Sequence, residues 1–298
     1  MSDRIQRRID PKTIGLVYGF LGVLGFSLTL PATRVAVAEL DPIIVGLGRA
    51  VVAALFAAIA LRANHQRLPA RRYWKGLMIV AAGVVLGFPL LSAWAMQQLP
   101  AAHGAIMLAL MPLATALAGS IIVGERPSRR FWLASIAGSL TVIVFAVFSG
   151  AGQMHWADVV LLAAGMAAAI SYAEGGRLAR ILGGWQVICW ALVIAAPVLS
   201  VPLLVAVLQH GLVASPEAWL GFGYVSLVSQ FLAFFPWYQG LAIGGVARVG
   251  QMQLLQPFLT ILASAILLGE AIAPFTIIAA AIVVATVAIG RGAVIRRG

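Results

Sequence analysis

The polar side chains of this sequence recur at helical spacing inside long apolar runs. Tyr18, Gly22, Gly25 and Thr29 follow i, i+4, i+7 and i+11, one face of a helix. Trp94 and Gln97 approach Leu99-Pro100 from one side, and His103 and Met107 from the other. Further along, Ser226, Gln230, Ala233 and Trp237 share a face, as do Gln253, Gln256 and Thr260, and Pro257 leaves a carbonyl without its α-helical donor. Embedded charge is limited to Arg49 and, near one end of its run, Glu174. Arg49 can attract a carboxylate, pair with backbone carbonyls or snorkel outward.

These groups suit non-covalent recognition. No GxxxxGK[ST] loop, no HExxH and no His–carboxylate pair at ligand spacing is present, so neither ATP drive, metal catalysis nor a cofactor is expected. The single cysteine, Cys189, lies in an apolar neighbourhood and reads as a small core residue. Each buried Gln has an alternative role as an interhelical hydrogen bond worth about 0.6 kcal/mol. The first-run glycines equally suit close helix packing. Trp74, Trp132, Trp156 and Trp219 sit at run ends, where interfacial anchoring is expected, whereas Trp94 and Trp237 lie deeper.

The elements that must carry these residues follow from composition. Of 298 residues 62% are apolar and 10% charged, with a mean hydropathy of +1.02, against roughly 25% charged in soluble domains. The solvent is therefore lipid. Apolar runs of 17 to 24 residues exclude the alternating pattern of barrel strands. Ten runs of helix-spanning length are predicted near 13–33, 43–61, 76–96, 103–123, 131–149, 157–175, 185–207, 218–240, 247–268 and 273–290. The first is too long for a signal-peptide core and is read as a retained span. The fold class expected is an all-α polytopic membrane protein.

The net charge of +11 does not point to nucleic acid, because the basic residues sit in the breaks between runs. With the N-terminus cytoplasmic, 18 of the 20 Lys and Arg fall on one side; Arg34 falls outside and Arg49 within a run. The positive-inside rule then puts both termini in the cytoplasm.

An internal repeat organises the chain. PLATALAGSIIVGE from Pro112 and PFLTILASAILLGE from Pro257 share seven of 14 positions at an offset of 145 residues. One copy lies in the fourth run and the other in the ninth, so the repeat unit holds five helices, and an odd number inverts the second. Two five-helix halves, 1–150 and 151–298, are expected, as in secondary transporters that rock about a midplane site. Pro112 and Pro257 mark matched hinge positions. Glu125 and Glu270 close matched helices at opposite faces and are assigned to structure.

The stretch from Trp94 to Ala146 resembles the EamA repeat of the drug/metabolite transporter superfamily. Ala101-Ala102 opens its helix, Pro112 lies inside, Gly124-Glu125 closes it and Ser135-Ile136-Ala137-Gly138 follows. Asp41-Pro42 and Arg49 fit the start of that pattern. The second half repeats it at Ala247, Pro257 and Gly269-Glu270 without a counterpart of Arg49. Within the superfamily the chain is most similar to the YddG-type aromatic amino acid exporters.

That resemblance implies a non-enzymatic secondary exporter of neutral or aromatic amino acids, working by alternating access in a bacterial inner membrane. Its partners would be a small-molecule amino acid and membrane lipid. Tyr18, Thr29, Trp94, Gln97, His103, Met107, Gln230, Trp237, Gln253 and Gln256 are the candidate substrate contacts. Export of other metabolites or drugs, a non-transporting scaffold and an intramembrane enzyme are the competing readings.

Overall fold

A computed structural model describes residues 10–99, 104, 107–148, 155–268, 274–291 and 295–297. Its main helical segments, with contiguous pieces joined, are numbered in chain order. These are α1 (Pro11–Ala36), α2 (Pro42–Ala63), α3 (Arg71–Gln98), α4 (Met111–Ile122), α5 (Arg129–Phe148), α6 (Trp156–Leu182), α7 (Gly184–His210), α8 (Pro216–Gly244), α9 (Gln256–Leu268) and α10 (Pro274–Arg291). Six of them (α1, α2, α3, α6, α7 and α8) are long and apolar enough to cross a membrane. The only strands among the described residues, β1 (Glu125–Pro127) and β2 (Ile295–Arg297), pair antiparallel with Arg126 opposite Arg296.

Local chemistry sets the helix ends. Asp41 Oδ1 accepts from Ile43 N at 2.8 Å with Pro42 in the first turn, and Ser215 Oγ accepts from Ala218 N ahead of Pro216; both are N-caps with a proline where no donor is needed. Gly183 (φ 98°) and Gly245 (φ 92°) turn the chain sharply between consecutive helices, a backbone that a side chain would strain.

Several helices are irregular, and the irregularities recur. α3 contains a π-helical stretch at Ala81–Gly87 and α8 one at Tyr224–Leu232. The 3₁₀ turn Leu108–Leu110 precedes α4, and Val246–Gly250 with the 3₁₀ turn Gln251–Leu255 precedes α9. Adding 145 carries 81–87 to 226–232, 108–110 to 253–255 and the first residue of α5 to that of α10. The repeat seen in sequence thus extends to backbone departures that hydropathy does not encode.

The helices pack in pairs that join the two halves of the chain: α1 on α8, α2 on α7, α5 on α10 and α3 on α6. Small residues permit the closest approach. A Cβ added at Gly22 would stand 2.8 Å from Trp237 Cβ, and one at Gly25 2.7 Å from Ala233 Cβ. Of the two sequence readings for these glycines, helix packing is the one seen.

Polar contacts at the helix ends form two groups. In one, buried Glu125 accepts from Val246 N at 2.9 Å and Ala247 N at 2.8 Å, with Arg180 Nη2 at 3.5 Å. In the other, Glu39 accepts from Ser215 N at 2.7 Å and Ser215 Oγ at 2.6 Å, and His210 stands 3.6 Å from Asp41.

Candidate functional site

The crossing of the two halves encloses a narrow cavity of about 20 Å³, little more than one water requires. α1 contributes Phe26, Thr29 and Leu30; α2 contributes Arg49; α3 contributes Val84 and Phe88. From the second half come Tyr172 on α6, Ser229 and Phe234 on α8 and Gln256 on α9; Leu108 and Met111 close the wall. A smaller adjoining cavity is lined by Leu108, Met111, Gln253, Gln256 and Pro257.

Among the described residues Arg49 is the only charged one of the wall, and it is 2% exposed. Its Nε donates to Gln230 Oε1 at 3.1 Å, while its Nη1 has no hydrogen-bond partner. No acid among the described residues pairs with it. The embedded Glu174 is held elsewhere by Arg177, at 2.8 and 2.5 Å. A buried, unpaired cation costs several kcal/mol in desolvation, so its retention calls for a compensating partner.

Gln230 fixes the position of Arg49. Its Nε2 donates to the Val84 carbonyl at 2.8 Å. That carbonyl is free because the π stretch shifts the ladder to i+5, as Phe88 N bonding to Gly83 O shows, and the next donor would be Pro89, which has no N–H. The break in α1 has a similar cause. Pro31 deprives the Ser27 carbonyl of its helical donor, and Thr260 Oγ1 supplies one; Gln256 Nε2 donates to Phe26 O at 3.4 Å. Thr29 Oγ1 and Ser229 Oγ share a hydrogen bond of 2.8 Å across the halves.

The residues singled out in sequence are distributed unevenly. Thr29 and Gln256 line the main cavity and Gln253 the smaller one, where its Nε2 also meets Thr115 Oγ1 at 3.3 Å. Gln230 stands behind Arg49. Trp237 is fully buried outside the wall, its ring 5.2 Å from Tyr172 and 6.0 Å from Phe26. Trp94 and Met107 are half-buried against the core, whereas Gln97 and Tyr18 are exposed. His103 and Glu270 lie outside the described residues. Pro112 and Pro257 stand in the first turns of α4 and α9. The carbonyl that Pro257 was expected to free, that of Gln253, accepts from Gln256 N in the 3₁₀ turn. Tightening to i+3 replaces the donor that proline removes.

Sequence reasoning named Arg49 as able to attract a carboxylate without placing it among the candidate contacts, and it missed Tyr172, Ser229 and the rings of Phe26, Phe88 and Phe234. The usable signals were Pro31 and Pro89, prolines inside apolar runs that mark backbone acceptors open to side chains.

Residues 13–147 and 155–290 each match the EamA-like transporter family. The chain belongs to that family. It is therefore a multi-pass membrane transporter of the drug/metabolite transporter superfamily, and its relatives are transporters rather than enzymes. This EamA-like transporter is 44% identical to the "Uncharacterized transporter YdeK" of Bacillus subtilis (strain 168), over 88% of this chain and 91% of the relative. It is 27% identical to a "Probable terminal-alkyne amino-acid exporter" of Streptantibioticus cattleyicolor, over 90% of each. A solved crystal structure shares the fold, with a TM-score of 0.76 and 19% identity over 93% of this chain and 97% of that one.

Proposed function

We propose that this transporter is a secondary exporter of neutral amino acids, aromatic ones foremost, that works by alternating access in a bacterial inner membrane. The observation that carries the reading is the cavity where helices of both halves cross, walled by one cation, hydroxyl and amide groups and several aromatic rings. Such a wall complements a small molecule with one polar end and one apolar end. The amino-acid exporter among the relatives supports the same substrate class.

In this reading ten helices form two inverted five-helix halves, 1–150 and 151–298, with both termini cytoplasmic. Contacts at the helix ends support it. Glu125 ties the α4–α5 connection to the α8–α9 connection and to the end of α6, and β1 pairs with the C-terminal β2; ten crossings place all of these on one side. Glu39 ties the α1–α2 and α7–α8 connections, which ten crossings place on the other. A cavity of about 20 Å³ is too small for an amino acid, so loading requires the halves to part, as rocking of inverted repeats provides.

Counterflow in proteoliposomes tests the proposal. Vesicles preloaded with unlabelled phenylalanine, leucine or other neutral amino acids should accumulate the corresponding labelled compound above protein-free vesicles. Absence of exchange across the panel would exclude an amino-acid exporter, and chemical conversion of the label would point to an enzyme.

A further inference from the structure

We infer that Arg49 is a carboxylate-binding residue, and that the transported compound must present a single negative charge to it. The inference deepens the exporter reading and rests on it for the route, though not for the binding itself. Arg49 lines the central cavity, is 2% exposed, and has an Nη1 without a partner. Gln230 satisfies only Nε, through a neutral amide, and is itself held on the Val84 carbonyl. The guanidinium is thus oriented by one edge and left with donors to offer.

The charge balance selects the ligand. One cation with no acid paired to it among the described residues neutralises one carboxylate, whereas a phosphate monoester would leave a second negative charge in an apolar enclosure. A free amine meets a like charge there. A guanidinium binds a planar carboxylate with two parallel hydrogen bonds, a geometry that an amide or alcohol does not match. Gln256 has its amide nitrogen engaged on Phe26 O and keeps its oxygen as an acceptor for an α-ammonium. The Tyr172 ring and the phenylalanines of the wall suit an apolar or aromatic remainder. Carboxylate first, apolar body second and ammonium third is the order of recognition that follows.

The test uses the full chain in detergent and four probes of similar size: L-phenylalanine, 3-phenylpropionate, L-phenylalaninamide and phenethylamine. Binding is read as a concentration-dependent rise in melting temperature. Both carboxylates should bind, and the amide and amine should bind roughly 10- to 100-fold more weakly, the range for losing a hydrogen bond to a charged group. Arg49→Gln should lose that preference and Arg49→Lys keep part of it. If Arg49→Gln does not fold, the wild-type panel decides. Equal binding of amide and acid, or binding of neither carboxylate, would overturn the inference. Carboxylate binding without counterflow would leave it standing and remove the exporter reading instead.

Discussion

Gln230 Nε2 donates to the carbonyl of Val84 at 2.8 Å, joining the π-helical stretch of α8 to that of α3. These two stretches occupy corresponding places in the two halves. The bond therefore ties the halves at positions where each helix has given up its regular ladder. Because Arg49 hangs from the other end of the same amide, helix contact and cavity wall share one side chain.

Two substitutions that both remove the donor to Val84 O differ in what they leave beside Arg49. Gln230→Leu strands Val84 O and Arg49 Nε, and should lower stability by about 1–3 kcal/mol, the range for buried groups left unsatisfied. Gln230→Glu also gives up the bond to Val84 O but sets a carboxylate against the guanidinium and neutralises it internally. Its melting temperature should stay above that of Gln230→Leu, while counterflow of neutral amino acids falls at least tenfold. Wild-type exchange by Gln230→Glu would show that the charge of Arg49 is not used.

Glu125 is expected to act on folding rather than on transport. Its two oxygens receive the N–H groups of Val246 and Ala247, donors at a helix start that no preceding turn can satisfy. In Glu125→Gln the amide nitrogen faces one of those donors, so stability should fall by about 1–3 kcal/mol. Exchange per folded molecule should stay within about twofold of wild type. Unchanged abundance and melting temperature with selectively lost exchange would assign Glu125 to coupling instead.

What the sequence discloses differs between fold and site. The helices are legible because lipid demands long apolar runs, and Asp41-Pro42 or Ser215-Pro216 names where one begins. The cavity is not, since Arg49, Tyr172 and Ser229 meet only once α2, α6 and α8 cross. Periodicity put Tyr18 and Gly22 on one stripe, yet Gly22 is the contact with Trp237 and Tyr18 is 37% exposed at its edge. Spacing along a helix gives a face but not its neighbour. Trp237 has the depth expected of a substrate contact and spends it on Tyr172 and Phe26.

A pH dependence is expected from the opposite helix ends. Hydrogen bonds from the Ser215 hydroxyl and backbone N–H hold the Glu39 carboxyl below its ordinary value of 4.5. A group whose folded pKa is depressed contributes stability above the unfolded value and loses it as pH falls through the folded one. The melting-temperature gap between wild type and Glu39→Gln should therefore be constant above about pH 5.5 and shrink below 4.5. A gap that widens on acidification would refute the assignment.

Sidedness can be read chemically. In a Cys189→Ala background, Val213→Cys, in the 96% exposed position between α7 and α8, should react with an impermeant maleimide added to intact cells. Arg72→Cys and Arg126→Cys should react only after permeabilisation, because the basic segments are assigned to the cytoplasm. Reaction of Arg72→Cys from outside would reverse the topology.

Gln256 and Trp237 distinguish the cavity wall from its support. Gln256 borders both cavities and is only partly buried, so Gln256→Ala should insert normally while removing a polar contact from the pathway. Neutral amino-acid exchange should fall several-fold, since each bond lost from an enclosed site costs about 1–3 kcal/mol. Trp237 is fully buried against Gly22, Phe26 and Tyr172, and truncating it to alanine should cost about 3–5 kcal/mol. Trp237→Ala is therefore expected to lose exchange together with folded protein, and Trp237→Phe, which keeps the ring against Tyr172, to recover both. Wild-type exchange by Gln256→Ala across the substrate panel would remove the cavity from the transport route. A well-folded Trp237→Ala without exchange would move Trp237 from support into the site.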